Sequence, residues 1–178
     1  MKRHLFLTGP IGCGKSTAIA NALGDNIARC GGFLTRRYRE PYLQFTLESP
    51  DGTVKETFLD FSSGNPKVDL SVFSKACLQG KILVLDEIGG IELLNPSFSS
   101  ALESVLSSDV PILGVMKGEG PAGALIKKLG LTEEYKCAFD QLRKQLLSDS
   151  NTLVYECAHY DKNALLLARQ WAEAYLHE

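Results

Sequence analysis

The nine residues Gly9-Pro10-Ile11-Gly12-Cys13-Gly14-Lys15-Ser16-Thr17 constrain this chain more than any other stretch, because they follow a short apolar run, His4-Leu5-Phe6-Leu7-Thr8. The pattern is G-x-x-x-x-G-K-[ST], a phosphate-binding loop, with a strand entering it and a helix leaving it. The chemistry explains the residue types. Gly9, Gly12 and Gly14 let the backbone curl so that successive N–H groups point at phosphate oxygens, where a Cβ would crowd the anion. A helix starting near Lys15 turns its positive end toward the same phosphates. Lys15 is then expected to reach the β- and γ-phosphates, Ser16 to ligate Mg²⁺ and Thr17 to meet the α-phosphate.

A second segment, Lys81-Ile82-Leu83-Val84-Leu85-Asp86-Glu87-Ile88-Gly89, matches the first. Consecutive aliphatic residues ending in an acid predict a central parallel strand, covered on both faces. The carboxyl end of such a strand lies beside the ligand in an open α/β sheet. Asp86 is therefore expected to hold Mg²⁺ together with Ser16, and Glu87 to accept a proton from an attacking water. A turn or helix-capping role is the alternative for Asp86, and tuning of the metal site or pairing with a basic side chain the alternative for Glu87.

Length and composition set bounds that agree. A chain of 178 residues is long enough for one well-packed domain, with a β-meander at about 32–60 and a helical insertion at about 118–150. The formal net charge of -2 gives no basic field, so nucleic acid is not indicated as a partner. Cys13, Cys30, Cys77, Cys137 and Cys157 are scattered and never spaced C-x-x-C. They fit neither a zinc site nor a disulfide framework and favour a reducing interior. Cys13 lies within the phosphate loop, where a positive environment would make it a target of oxidative inactivation. The chain opens directly into the first strand and has no apolar run long enough for a bilayer, so the cytoplasm is the expected compartment and no membrane is expected as a partner.

Along the chain, a first helix is expected from Lys15 to Leu23, ending at Gly24-Asp25. Residues 32–38, 42–47 and 53–59 read as three strands of an antiparallel meander, the last two divided by the turn Ser49-Pro50-Asp51-Gly52. Ser62 to Pro66 reads as a loop, and 69–78 as a helix with Leu70, Phe73 and Cys77 on one face. A helix over 96–106 with Phe98, Leu102, Val105 and Leu106 inward precedes a buried strand over 111–116. Lys117 to Pro121 reads as a loop, 124–129 as a short helix, and 133–147 as a longer one carrying Tyr135, Phe139, Leu142 and Leu146. A strand over 152–156 and a closing helix over 163–176, burying Leu166, Leu167 and Trp171, complete the reading. The alternation is that of an α/β chain with a doubly wound, mostly parallel sheet.

The segments GPIGCGKST, GGFLTRRYRE, LVLDEIGGIELL and PILGV together resemble the small P-loop nucleoside-triphosphatases related to the cancer-related NTPase of animals, over about the first two-thirds of the chain. In that family the second segment is similar to GGFYTEEVRE and the third to VIDEIGKMEL. The resemblance implies a P-loop NTPase fold and a stand-alone enzyme. Such an enzyme hydrolyses ATP, GTP or other nucleoside triphosphates to diphosphates with broad base tolerance and Mg²⁺. By position it assigns Gly9 to Thr17 to the phosphate loop, Asp86 and Glu87 to the metal and the water, and Arg39 to the arginine of the VRE segment. Three departures stand out. The family's lysine after DEIG is Gly90 here, Arg36 and Arg37 replace acidic residues, and the chain beyond Lys117 is longer than the family's usual tail.

Hydrolysis calls for positive charge near the γ-phosphate beyond the loop lysine. Arg36, Arg37, Arg39, Lys117 and Arg143 are the cations to weigh, with Arg39 first and Lys117 second, and surface solvation the ordinary role for each. His159 and His177 have no spaced partner ligands, and Trp171 reads as core. Two other functions share this core. A nucleotide or small-molecule kinase would need an acceptor pocket and a lid, which the meander and the 118–150 segment could provide. A nucleotide-gated binding protein would hydrolyse slowly and signal its bound state to a partner.

Overall fold

Eight strands form a single sheet in a computed structural model that describes residues 1–159 and 161–176. In chain order they are β1 (His4–Thr8), β2 (Gly31–Tyr38), β3 (Gln44–Glu48), β4 (Lys55–Ser63), β5 (Asn65–Val68), β6 (Leu83–Ile88), β7 (Ile112–Met116) and β8 (Thr152–Glu156). The helices are α1 (Lys15–Leu23), α2 (Ser71–Ser74), α3 (Pro96–Leu106), α4 (Glu119–Leu129), α5 (Glu133–Ser148) and α6 (Lys162–Leu176). The spatial order is β5-β4-β3-β2-β6-β7-β1-β8. From β2 to β8 the pairings are parallel, and β2, β3, β4 and β5 pair antiparallel as a meander added to one edge.

Strand alternation divides the core into two layers. Phe6, Leu83, Leu85, Ile112 and Met116 turn to one face, where α3 and α5 bring Phe98, Leu102, Tyr135, Phe139, Leu142 and Leu146. Leu5, Leu7, Val84, Leu113 and Val115 turn to the other, against α1 and α6. Central strands buried on both faces need no polar positions, as their sequences show. This is the expected α/β architecture, a mostly parallel sheet with an antiparallel extension.

Several boundaries differ from the sequence reading. The stretch read as a loop after Phe61 continues as the end of β4 and a fourth antiparallel strand, β5. Pro66 is tolerated there because β5 is the sheet's edge. The helix expected over 69–78 stops at Ser74, since the following backbone is needed elsewhere. The Cys77 carbonyl accepts the Gly32 N–H at 2.7 Å, and Cys77 itself is exposed. Helix α4 begins at Glu119, five residues before the expected start, with Pro121 in its first turn, where N–H groups have no intrahelical partner. On α6 the fully buried stripe is Ala164, Ala168, Trp171 and Ala172; of the expected leucines, Leu167 packs partly buried against this core and Leu166 is 54% exposed. Small side chains let α6 lie close on α1.

Candidate active site

The phosphate loop takes the curled path its glycines permit. Gly9, Gly12 and Gly14 have φ of 127°, 78° and 97°, which side chains with a Cβ rarely adopt. At Gly9 there is also no room, because a Cβ would sit 2.5 Å from the Cys157 carbonyl oxygen at the end of β8. Lys15 opens α1, and its side chain folds back into the loop. Nζ donates to the Gly9 carbonyl at 3.0 Å and the Pro10 carbonyl at 2.7 Å, and lies 3.5 Å from Cys13 Sγ. Ile11 stands out from the loop tip, whereas Cys13 is buried beneath it beside Cys157. Burial raises the Cys157 thiol to about 12, with the Cys13 sulfur adding to the effect.

Asp86 sits across the crevice from the start of α1. Ser16 Oγ donates to Asp86 Oδ1 at 2.7 Å, a contact between residues 70 apart in sequence. The Thr35 hydroxyl of β2 donates to the Asp86 backbone carbonyl at 2.8 Å and fixes the strand end. Asp86 is 1% exposed, and its Oδ2 has no hydrogen-bond partner. Burial pushes its carboxyl up to about 6, the Ser16 hydrogen bond opposes this, and the neighbouring Glu87 adds to it. An orphaned buried carboxylate oxygen next to a serine hydroxyl fits a hard divalent cation. Such ions take one or two carboxylate oxygens and fill the remaining positions with water and phosphate. Among the described residues no cluster of three His, Cys, Asp or Glu side chains could hold a metal. The donor set at Ser16 and Asp86 fits such a cation with two protein ligands.

Glu87 is aimed by a distortion of the sheet. Between Leu85 and Ile88, β6 has one residue more than its partner β7, and Glu87 lies in this bulge with φ of 65°. Bulges re-aim side chains beside active sites, and a left-handed glutamate persists only where its surroundings enforce it. The enforcing contacts are visible. Lys117 N–H donates to the Ile88 carbonyl at 2.8 Å, and the buried Tyr135 hydroxyl of α5 donates to the Gly89 carbonyl at 2.9 Å. The buried Glu92 carboxylate accepts the Gly89 and Gly90 N–H groups at 2.7 and 2.8 Å. Burial raises the Glu92 carboxyl, while these N–H donors and the Lys117 charge hold it down. The Lys117 ammonium lies 3.5 Å from the Glu87 carboxylate.

A cavity of about 270 Å³ runs past Lys15, Glu87, Glu92 and Lys117. Gly9, Ile11 and Lys15 border it on one side, and Glu87, Glu92 and Lys117 on another. Five phenylalanines of the meander side, Phe33, Phe45, Phe58, Phe61 and Phe73, form its far wall, and α4 closes it with Ala124, Leu125 and Lys128. The structure thus places Lys15, Glu87 and Lys117 on one cavity, and Ser16 against Asp86, each next in sequence to a lining residue. Thr17 is exposed and not on the cavity wall. Arg39 lies past the end of β2, exposed, and does not line the cavity. Arg36 pairs with Glu48, Arg143 with Glu119, and Arg37 reaches over the Phe45 ring at the cavity wall. His159 is exposed, and His177 lies outside the described residues. The hydrogen-bonding roles of Thr35, Glu92 and Tyr135 went unread in the sequence, where Tyr135 was expected only as core. Their roles depend on contacts from other elements, and only the position of Glu92, just after the Asp86 strand, offered a signal.

A phosphate loop after β1, an acid at the end of β6 and one parallel strand, β7, between them define a P-loop nucleotide-binding fold. Comparison with known proteins narrows the class. The family model described as NTPase matches residues 55–147, a stretch that includes α4 and most of α5. The human cancer-related nucleoside-triphosphatase is 30% identical over 186 aligned residues, covering 86% of this chain and 97% of the relative. The nucleoside-triphosphatase THEP1 of Methanocaldococcus jannaschii is 26% identical over 131 residues, covering 64% of this chain and 77% of the relative. The crystal structure of THEP1 from Aquifex aeolicus shares the fold, with a TM-score of 0.66 at 14% identity over 97% of this chain and 98% of that one. The chain belongs to this family of small P-loop nucleoside-triphosphatases.

Proposed function

We propose that the protein hydrolyses nucleoside triphosphates to the diphosphate and phosphate in a Mg²⁺-dependent reaction. The observation that carries this reading is the Ser16–Asp86 contact at 2.7 Å, set between the phosphate loop and the Glu87–Lys117 pair. The relatives named as nucleoside-triphosphatases support the same activity.

In this reading the N–H groups of Gly12 to Lys15 and the α1 N-terminus bind the β-phosphate region, and Lys15 neutralises charge on the β- and γ-phosphates. Ser16 Oγ and Asp86 would hold Mg²⁺, which when bound offsets charge on the phosphate oxygens. Glu87 orients the attacking water and takes its proton. Lys117 assumes the part expected of a γ-phosphate cation, since it faces the cavity that Lys15 and Glu87 share, whereas Arg39 does not. It also fills the place of the family lysine that is Gly90 here. A Cβ on Gly90 would lie 3.4 Å from Lys117 Cε, so the Lys117 stem already occupies that space.

The five cysteines stand free, in keeping with the cytoplasm, and among the described residues no helix is long and apolar enough to cross a membrane. We take residues 1–178 to act as one catalytic unit, with the α4 part of the 118–150 segment, Gly118 to Lys128, supplying the cavity's outer wall. The test is phosphate release from ATP, GTP, CTP and UTP, with Mg²⁺ and with a chelator. Release from all four that needs the cation and disappears in Lys15→Ala is expected. Release that survives in Lys15→Ala would remove the phosphate-loop assignment.

A further inference from the structure

The cavity is far larger than hydrolysis needs. An attacking water takes up about 30 Å³, and the cavity that runs from Lys15 past Glu87 to the phenylalanines has about 270 Å³. Its position relative to the phosphate loop is informative. Lys15, which serves the β,γ end of a triphosphate, is on its wall, but Thr17, at the α end, is not, nor is any residue of β8 or α6. The chamber therefore opens on the Lys15 side of the loop and not on the side of Thr17, β8 and α6.

Its chemistry is also one-sided. The aromatic wall is firm: Phe45, Phe58 and Phe73 meet at centroid distances of 6.3 and 4.9 Å with their rings tilted, and Phe98 backs Phe73 edge-on at 5.5 Å from behind the lining. Two cations lie over its outer rings. The Arg37 guanidinium is 5.8 Å from the Phe45 centroid, and Lys128 Nζ is 4.0 Å from that of Phe61. The carboxylates on the lining are both engaged, Glu87 with Lys117 and Glu92 with backbone N–H groups. Aromatic rings presented at tilted and edge-on angles under a positive rim suit an aromatic molecule with a negative substituent, which can pack against their faces and edges.

We propose that this chamber is a second small-molecule site, for a planar aromatic anion seated beside the γ-phosphate. The proposal rests on reading Gly9 to Thr17 as the triphosphate site. An occupant there fills the space on the Glu87 side and excludes the attacking water, so it slows hydrolysis without displacing the triphosphate.

The test uses anilinonaphthalene sulfonate, its neutral counterpart phenylnaphthylamine, and a non-hydrolysable triphosphate whose own affinity is measured separately. The sulfonate is expected to bind one-to-one with and without the triphosphate, and to lower kcat for phosphate release at unchanged KM. Ala124→Trp, which fills the chamber from an exposed helix position, abolishes that binding and keeps triphosphate affinity. The surface double variant Arg37→Ala/Lys128→Ala weakens the sulfonate roughly tenfold and leaves the neutral probe unchanged, since only the sulfonate carries a charge for the two exposed cations to attract. Competition between sulfonate and triphosphate would overturn the proposal, because the chamber would then be the nucleoside's own site, while the hydrolytic reading would stand. Absence of one-to-one binding, or binding that neither variant alters, would overturn it as well. Failure of the triphosphate to bind would instead strike the phosphate-loop reading.

Discussion

Lys117 and Glu87 face one another across the β6–β7 bulge, ammonium to carboxylate at 3.5 Å, and both line the cavity that reaches the loop lysine. The same lysine passes beside Gly90, where relatives of this chain are expected to carry a lysine of their own. The pair thus links a departure in sequence to a substitute in space. Lys117→Ala removes a cation from the γ-phosphate side and is expected to lower kcat by roughly 10²- to 10³-fold, the range for losing one transition-state donor. KM for the triphosphate should change much less, because the phosphate loop remains. Steady-state kinetics that instead show a raised KM at unchanged kcat would place Lys117 in ground-state binding.

Gly90 has an ordinary backbone conformation, so its lack of a side chain reflects space alone. A Cβ there would lie 2.7 Å from Glu92 Oε2, and that carboxylate is held by two backbone N–H groups. Gly90→Ala is expected to cost about 1–3 kcal/mol, the usual cost of overpacking. For a chain of this size that lowers Tm by roughly 2–10 °C, measurable by calorimetry. An unchanged Tm would show that Glu92 moves aside freely.

Asp86 gives the protein a pH dependence with a definite sign. Its carboxyl ionises near pH 6 in the folded chain and at an ordinary value of 3.8 when unfolded. The native state therefore holds the extra proton, and the contribution of Asp86 to stability falls as pH rises from about 4 to about 6, then levels off. Relative to Asp86→Asn, the metal-free protein should lose up to roughly 3 kcal/mol across that window. Denaturant unfolding of the two proteins at several pH values measures the difference. Added Mg²⁺ should shrink it, because the cation binds the ionised form. A difference that stays constant with pH would show that Asp86 titrates normally.

Much of this was legible in the sequence, for local reasons. Loop glycines, the aliphatic run into Asp86, and the Tyr135-Phe139-Leu142-Leu146 stripe each declare themselves within one element. What escaped depends on other elements. Helix α2 ends early because the Cys77 carbonyl is taken by Gly32, and β5 exists because β4 offers it an edge. The inward face of α6 is alanine-rich because α1 lies close, which hydrophobic bulk cannot reveal. In the site, Ser16 and Asp86 could be paired by motif. That Glu87 sits in a bulge, with Glu92 and Tyr135 holding the turn, requires a register between β6 and β7 that no single segment encodes.

Hydrolysis at this site depends on the bulge presenting Glu87 to a water at the γ-phosphate. Single-turnover hydrolysis by Glu87→Gln, with triphosphate affinity measured on the same protein, tests it most directly. Affinity within about threefold of the wild type with the rate down by roughly 10²- to 10⁴-fold is the expected result. A rate equal to that of the wild type would contradict the account and make Glu87 a structural partner of Lys117.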